Sequence, residues 1–196
     1  MSDAFLERWL EEVLGAPGAT GIQNADAARR VLLEDALRAA PIVDSNPGQV
    51  IDVGSGGGTP GIPLATALPK RAFTLLDAER RKCELLERVS AELPNVEVVW
   101  GRAEEQENDV FGVALAKALA KPPVAAELCL PLVRPGGVAL LWVGKSAEPG
   151  SVAKVAEMLA STLEDDRDGL LVLRKLAATP PGFPRRAGMA KKRPLA

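Results

Sequence analysis

Residues 50–63, Val50-Ile51-Asp52-Val53-Gly54-Ser55-Gly56-Gly57-Gly58-Thr59-Pro60-Gly61-Ile62-Pro63, constrain this chain more than any other stretch. A short apolar run ends in an acid, then in four glycines within five positions, then in proline beside a second apolar run. That order spells strand, tight turn, helix. Glycine lets the turn take positive φ and lets a ligand rest against bare main chain. The first turn of the helix leaves N–H groups free for a polar or anionic ligand.

The rest of the chain supplies a sheet around that turn. Residues 4–14 place Phe5, Leu6, Trp9, Leu10, Val13 and Leu14 on one helical face. A second helix is expected from Asn24, a good N-cap, to Ala40, with Pro41 ending it. From residue 50 strands and helices alternate. Strands are expected over 50–53, 72–76, 96–100, 110–115, 138–143 and 170–176, with Gly136-Gly137 turning into the fifth. Helices are expected over 61–68, 80–93, 122–132 and 152–163. The segment from the last helix to Leu170 is short, so one strand of a closing hairpin is expected to be trimmed. The pattern predicts an α/β fold, Rossmann-like, with a mostly parallel sheet and helices on both faces. Residues 1–47 form a short helical N-terminal cap, 48–178 the core and 179–196 a basic, Pro-rich tail, all one folding unit. Ligands of such sheets bind past the C-terminal strand ends at the switch point. Gly54–Gly58, Asp77, Arg102–Glu104 and Lys117 all fall there.

Composition narrows the chemistry. The 196 residues suffice for one domain with a full core. There is no histidine. That removes Ser-His-Asp triads, Cys-His pairs, histidine metal sites and a histidine base, and no metal is expected. Cys83 and Cys129 have no C-x-x-C spacing and read as buried free thiols of a reducing compartment. The chain shows neither a secretory signal nor a membrane-length apolar run, so a cytoplasmic protein is expected, and a monomer. Gly169–Ala196 carries seven basic residues and no acid; with a total of −2, the body is left at −9. A basic tail on an acidic body suits a polyanion partner, or a plain solvated tail.

Gly56-x-Gly58-x-x-Gly61 fits the dinucleotide pattern, and Asp77, 19 residues after Gly58, sits where a ribose-binding acid is expected. That arrangement serves NAD and S-adenosylmethionine alike. Gly101-Arg102-Ala103-Glu104 would flank an adenine or start an exposed helix. Lys117 at a buried strand end needs a carboxylate or phosphate partner, unless it snorkels to the surface. Trp100, Trp142 and Phe183 could stack on a base, although Trp100 and Trp142, being on strands, read rather as core.

Three stretches together resemble one family. Asp52-Val53-Gly54-Ser55-Gly56-Gly57-Gly58-Thr59-Pro60-Gly61-Ile62-Pro63-Leu64 closely resembles the glycine loop of the RsmG (GidB) proteins, which methylate guanine N7 in 16S ribosomal RNA. Gly101-Arg102-Ala103-Glu104-Glu105 is similar to the family's G-R-A-E-E. The tail from Thr179 to Leu195 resembles the family's T-P-x-x-[YF]-P-R-[RK] ending with its K-[RK]-P-L close. The resemblance implies a class I methyltransferase with S-adenosyl-L-methionine as cofactor. Gly54, Ser55, Gly56, Gly58 and Thr59 of the loop, with Ala103, Glu104 and Lys117, would line its site, and Asp77 would hold the ribose. Arg185, Arg186, Lys191, Lys192 and Arg193 would face phosphates of 16S rRNA or the small ribosomal subunit, with Lys117 also a candidate beside the reacting base. This chain has Lys117 where the family usually has arginine, and Val143 where it has lysine, with Lys145 two residues on. The N-terminal half matches more loosely, its helix ending Asp35-Ala36-Leu37. The implied activity is methylation of guanine N7 in small-subunit rRNA, a step of rRNA processing. The alternatives are a methyltransferase acting on another RNA or a small molecule, and a catalytically impaired RNA- or ribosome-binding homologue.

Overall fold

The computed structural model describes residues 2–144 and 147–196; Lys145 lies outside them. A seven-stranded sheet runs β3-β2-β1-β4-β5-β7-β6. The strands are β1 (Val50–Val53), β2 (Phe73–Asp77), β3 (Val96–Trp100), β4 (Phe111–Lys117), β5 (Val133–Trp142), β6 (Ser161–Arg167) and β7 (Leu170–Lys175). The first five pair in parallel, whereas β7 runs antiparallel to both β5 and β6. β1 therefore has β2 on one side and β4 on the other, and the chain reverses direction across the sheet there.

Alternation along the strands feeds two apolar layers. Val50, Phe73, Leu75, Val113, Leu115, Val138 and Leu140 join one layer with α1 (Ser2–Gly15), α5 (Gly61–Ala67) and α6 (Arg80–Val89). Ile51, Val53, Ala114, Ala116, Ala139 and Leu141 join the other with α7 (Pro122–Cys129) and α8 (Pro149–Met158). The N-terminal helix is no appendage: Phe5, Leu6, Trp9, Leu10 and Val13 belong to the same layer as Ile62 and Leu86. The tail ends in α9 (Met189–Lys192), whose Ala190 is buried in the second layer.

Several expectations change. The helix from Asn24 is capped as expected, Asn24 Oδ1 accepting from the Ala27 N–H at 2.9 Å. It then runs as α2 (Ala25–Ala28), a π-helical stretch over Arg29–Glu34, and α3 (Asp35–Leu37). Pro41 does not end it; it opens α4 (Ala40–Ser45), where its missing N–H costs nothing. The closing hairpin is complete. Residues 161–163, expected in the last helix, begin β6, which the helical reading hid because this edge strand is mostly polar. Its two-residue turn, Asp168-Gly169, has positive φ at both positions, 50° and 76°. Gly136-Gly137 lie inside β5 rather than before it. Trp100 is not core: it is 63% exposed on the edge strand β3, the indole N–H donating to the Ala78 carbonyl at 3.2 Å and Arg80 lying 5.6 Å from the ring centroid. Cys83 and Cys129 are buried and free.

Candidate active site

Asp52 anchors the glycine turn from below. It is fully buried, and its Oδ2 accepts the Gly61 N–H at 2.9 Å while its Oδ1 has no hydrogen-bond partner among the described residues. Burial pushes this carboxyl up to about 7, with the Gly61 N–H pulling the other way and the nearby Asp77 adding a smaller push. Gly61 has no room for a side chain, since a Cβ would sit 2.3 Å from Leu75 Cδ2 and 2.8 Å from Asp52 Oδ2.

The turn itself is pinned from three directions. Gly54, at φ +71°, and Ser55 both donate their N–H groups to the Leu76 carbonyl, at 2.8 and 3.0 Å. The Gly56 N–H donates to Asp77 Oδ2 at 2.9 Å. Gly58 closes the turn onto the Ser55 carbonyl at 2.7 Å. From the N-terminal helices, the Trp9 indole N–H donates to the Gly57 carbonyl at 2.8 Å, and the Thr59 hydroxyl donates to the Leu32 carbonyl at 2.7 Å. Ser55 and Thr59 thus spend their hydroxyls inward, Ser55 on the Asp52 carbonyl at 2.8 Å. Both hydroxyls thereby brace the loop.

A cleft opens past the C-terminal ends of β1, β2 and β3. Gly54, Asp77, Ala103 and Glu104, all anticipated, line it, together with the apolar side chains of Leu76, Leu119 and Leu128. Asp77 is held by the Gly56 N–H on Oδ2 and the Glu79 N–H on Oδ1, the latter at 2.9 Å. Each carboxylate oxygen keeps a second acceptor position, so Asp77 can still take ribose hydroxyls. One acid edge and apolar walls fit a nucleoside, whose base needs desolvated surface and whose sugar needs acceptors. The tail reaches this cleft too: Gly188 and Lys191 are among its walls, and the Gly188 N–H donates to Glu104 Oε1 at 2.8 Å.

Lys117 stands apart from the walls of this cleft. At the end of β4 it forms an ion pair with Asp35, and its ammonium lies 5.7 Å from the Trp142 ring centroid. Trp142 in turn donates its indole N–H to the Asp35 carbonyl at 3.1 Å. The tail residues divide. Arg186, Lys191, Lys192 and Arg193 are exposed, but Arg185 turns inward and grips Glu127. Trp9, Asp35 and Glu127 were not foreseen as site residues. Trp9 and Asp35 sit in a helical pattern that reads as ordinary amphipathic surface, and Glu127 is a lone acid in an apolar helix, the one available signal.

The family model described as rRNA small subunit methyltransferase G (GidB) matches residues 7–167 of the chain. The chain belongs to the rRNA small subunit methyltransferase G family. It is 37% identical over 173 residues to a ribosomal RNA small subunit methyltransferase G from Synechococcus sp., the match covering 78% of this chain and 66% of that protein. It is 32% identical over 207 residues to the one from Thermotoga sp., covering 97% of this chain and 90% of the relative. Against the Synechococcus protein, then, this methyltransferase G family member spans just under two thirds of the relative's length. Among solved structures, an O-methyltransferase from neocarzinostatin biosynthesis (NcsB1), in complex with S-adenosyl-L-homocysteine, shares the fold with a TM-score of 0.57 at 18% identity, over 66% of this chain and 49% of that one. The sheet of this family member, parallel but for β7, is the class I methyltransferase arrangement.

Proposed function

We propose that this protein transfers a methyl group from S-adenosyl-L-methionine to guanine N7 of small-subunit ribosomal RNA. The observation that carries the reading is the cleft in which Gly54, Asp77, Ala103 and Glu104 meet past the strand ends, in a chain of the methyltransferase G family. Asp77 would accept the ribose hydroxyls, and Leu76, Leu119 and Leu128 would cover the adenine faces. The cofactor, when bound, supplies an electrophilic methyl group on a cationic sulfur. The protein's own work is alignment and exclusion of water. Guanine N7 presents an in-plane lone pair, so no proton has to leave before attack, and a chain without histidine lacks nothing for the step. The pinned glycine turn fixes the cofactor side. Arg186, Lys192 and Arg193, exposed beside the cleft, supply sequence-independent grip on RNA phosphates. Lys117, held by Asp35 and Trp142, fixes the end of β4 next to Leu119.

The test is methyl transfer from radiolabelled S-adenosylmethionine into small ribosomal subunits and free 16S rRNA, with the product nucleoside identified by mass spectrometry. Label in 7-methylguanosine is the expected result. Absence of label from rRNA, or label at another atom, overturns the reading.

A further inference from the structure

The tail reaches the cleft with Gly188, Ala190 and Lys191 among its lining residues. Glu127 on α7 is only 4% exposed, and a carboxylate at that depth requires a cationic partner. Arg185 provides it as a fork, Nε and Nη2 each donating at 2.6 Å, and the same Nη2 also reaches the Arg193 carbonyl at 2.9 Å. The single guanidinium therefore ties both ends of residues 185–193 to α7. Between those ends, Gly188 is hydrogen-bonded to Glu104, Ala190 is buried, and Lys191 borders the cleft. Upstream, Asn108 donates to the Phe183 carbonyl at 3.2 Å.

We propose that the Glu127–Arg185 pair positions the C-terminal tail as a wall of the cofactor cleft, so that RNA bound to the tail's exposed cations tightens cofactor binding. The proposal rests on the reading of that cleft as the methyl-donor site. Neither residue lines the cleft; both act through Gly188 and Lys191, which do. Arg186, Lys192 and Arg193 point to solvent from the very segment that walls the cleft, so a polyanion gripping them also holds the wall. Coupling of this kind is reciprocal: what RNA does for cofactor affinity, cofactor does for RNA affinity.

The full chain tests this. Calorimetry with S-adenosylhomocysteine is expected to show Kd raised at least fivefold in Arg185→Lys, which keeps the charge but loses the fork, and in Glu127→Gln. In turnover the same variants should raise KM for S-adenosylmethionine with kcat within twofold of the parent. S-adenosylhomocysteine should slow trypsin cleavage after Lys191 and Lys192 in the parent and much less in the variants. Saturating small subunits should lower the parent's Kd for S-adenosylhomocysteine at least fivefold. Unchanged affinity in Arg185→Lys, or trypsin cleavage of the parent that ignores S-adenosylhomocysteine, overturns the wall. If the variants fail to fold, the trypsin result on the parent decides. RNA that binds without changing Kd overturns the coupling alone. A chain that binds S-adenosylhomocysteine but no rRNA overturns the coupling and the functional reading together, and leaves the wall to the calorimetry.

Discussion

Asp35 and Lys117, 82 residues apart in sequence, form an ion pair beside the indole of Trp142. Arg38 takes the other Asp35 oxygen at 2.9 Å. The pair bolts the N-terminal helices to the end of β4. Lys117→Met should cost about 1–2 kcal/mol, below the figure for a fully buried pair because Asp35 is partly exposed and retains Arg38. Lys117→Arg should cost little. Urea midpoints at constant m value measure both.

Trp9 reaches from the first helix into the glycine turn. Trp9→Phe removes the donor and puts a smaller ring in a buried site, so the unpaired Gly57 carbonyl, at about 1–2 kcal/mol, adds to the cost of the vacated volume. Because the proposed function sets the glycine turn against the cofactor, calorimetry should find weaker binding of S-adenosylhomocysteine as well as a lower melting temperature.

Asp52 makes stability depend on pH. Its folded-state value, near 7, lies above the ordinary 3.8. The folded protein therefore holds a proton that the unfolded chain has lost, and the stability this provides is complete below about pH 4 and drains away as pH rises towards 7. The loss is roughly 4 kcal/mol at most. Denaturation curves between pH 5 and 8 should show a downward slope that Asp52→Asn abolishes; an unchanged slope in the variant would contradict the assignment.

Gly112 has no space for a methyl group. A Cβ there would lie 2.0 Å from the Pro47 carbonyl oxygen, which is main chain and cannot swing away. Gly112→Ala should lose about 3 kcal/mol or more, through backbone displacement. Gly15→Ala, at the end of α1 with nothing within 4 Å, should change stability by less than about 0.5 kcal/mol. Thermal melts of the two variants are a direct comparison.

Salt dependence reads the tail. Replacing Arg186 and Lys192 with alanine should weaken rRNA binding and flatten the slope of log K against log salt by roughly 1.5–2. Binding isotherms at four or five salt concentrations give the slope.

Much of the sheet was legible in the sequence because β1, β4 and β7 are mostly apolar runs buried on both faces. β1 and β3 fall where the pattern put them. β6 was lost to polarity: an edge strand needs few apolar residues, and Ser161–Arg167 has only Leu163. Its Asp168-Gly169 turn was the available hint. At the cleft, Gly54, Asp77, Ala103 and Glu104 could be anticipated since strand ends announce themselves. The inward turn of Arg185 could not, because a cation in a basic tail and an acid 58 positions earlier give no local sign that they will meet.

The packing of α1 has a consequence for assembly of the fold. Its apolar stripe packs against the neighbouring α2 and against α5, which lies beyond the first strand of the sheet. The stripe of Phe5, Trp9 and Val13 is therefore completed only when α5 packs against it. The turn that Trp9 braces thus gains that hydrogen bond only once a segment distant in sequence has docked on it.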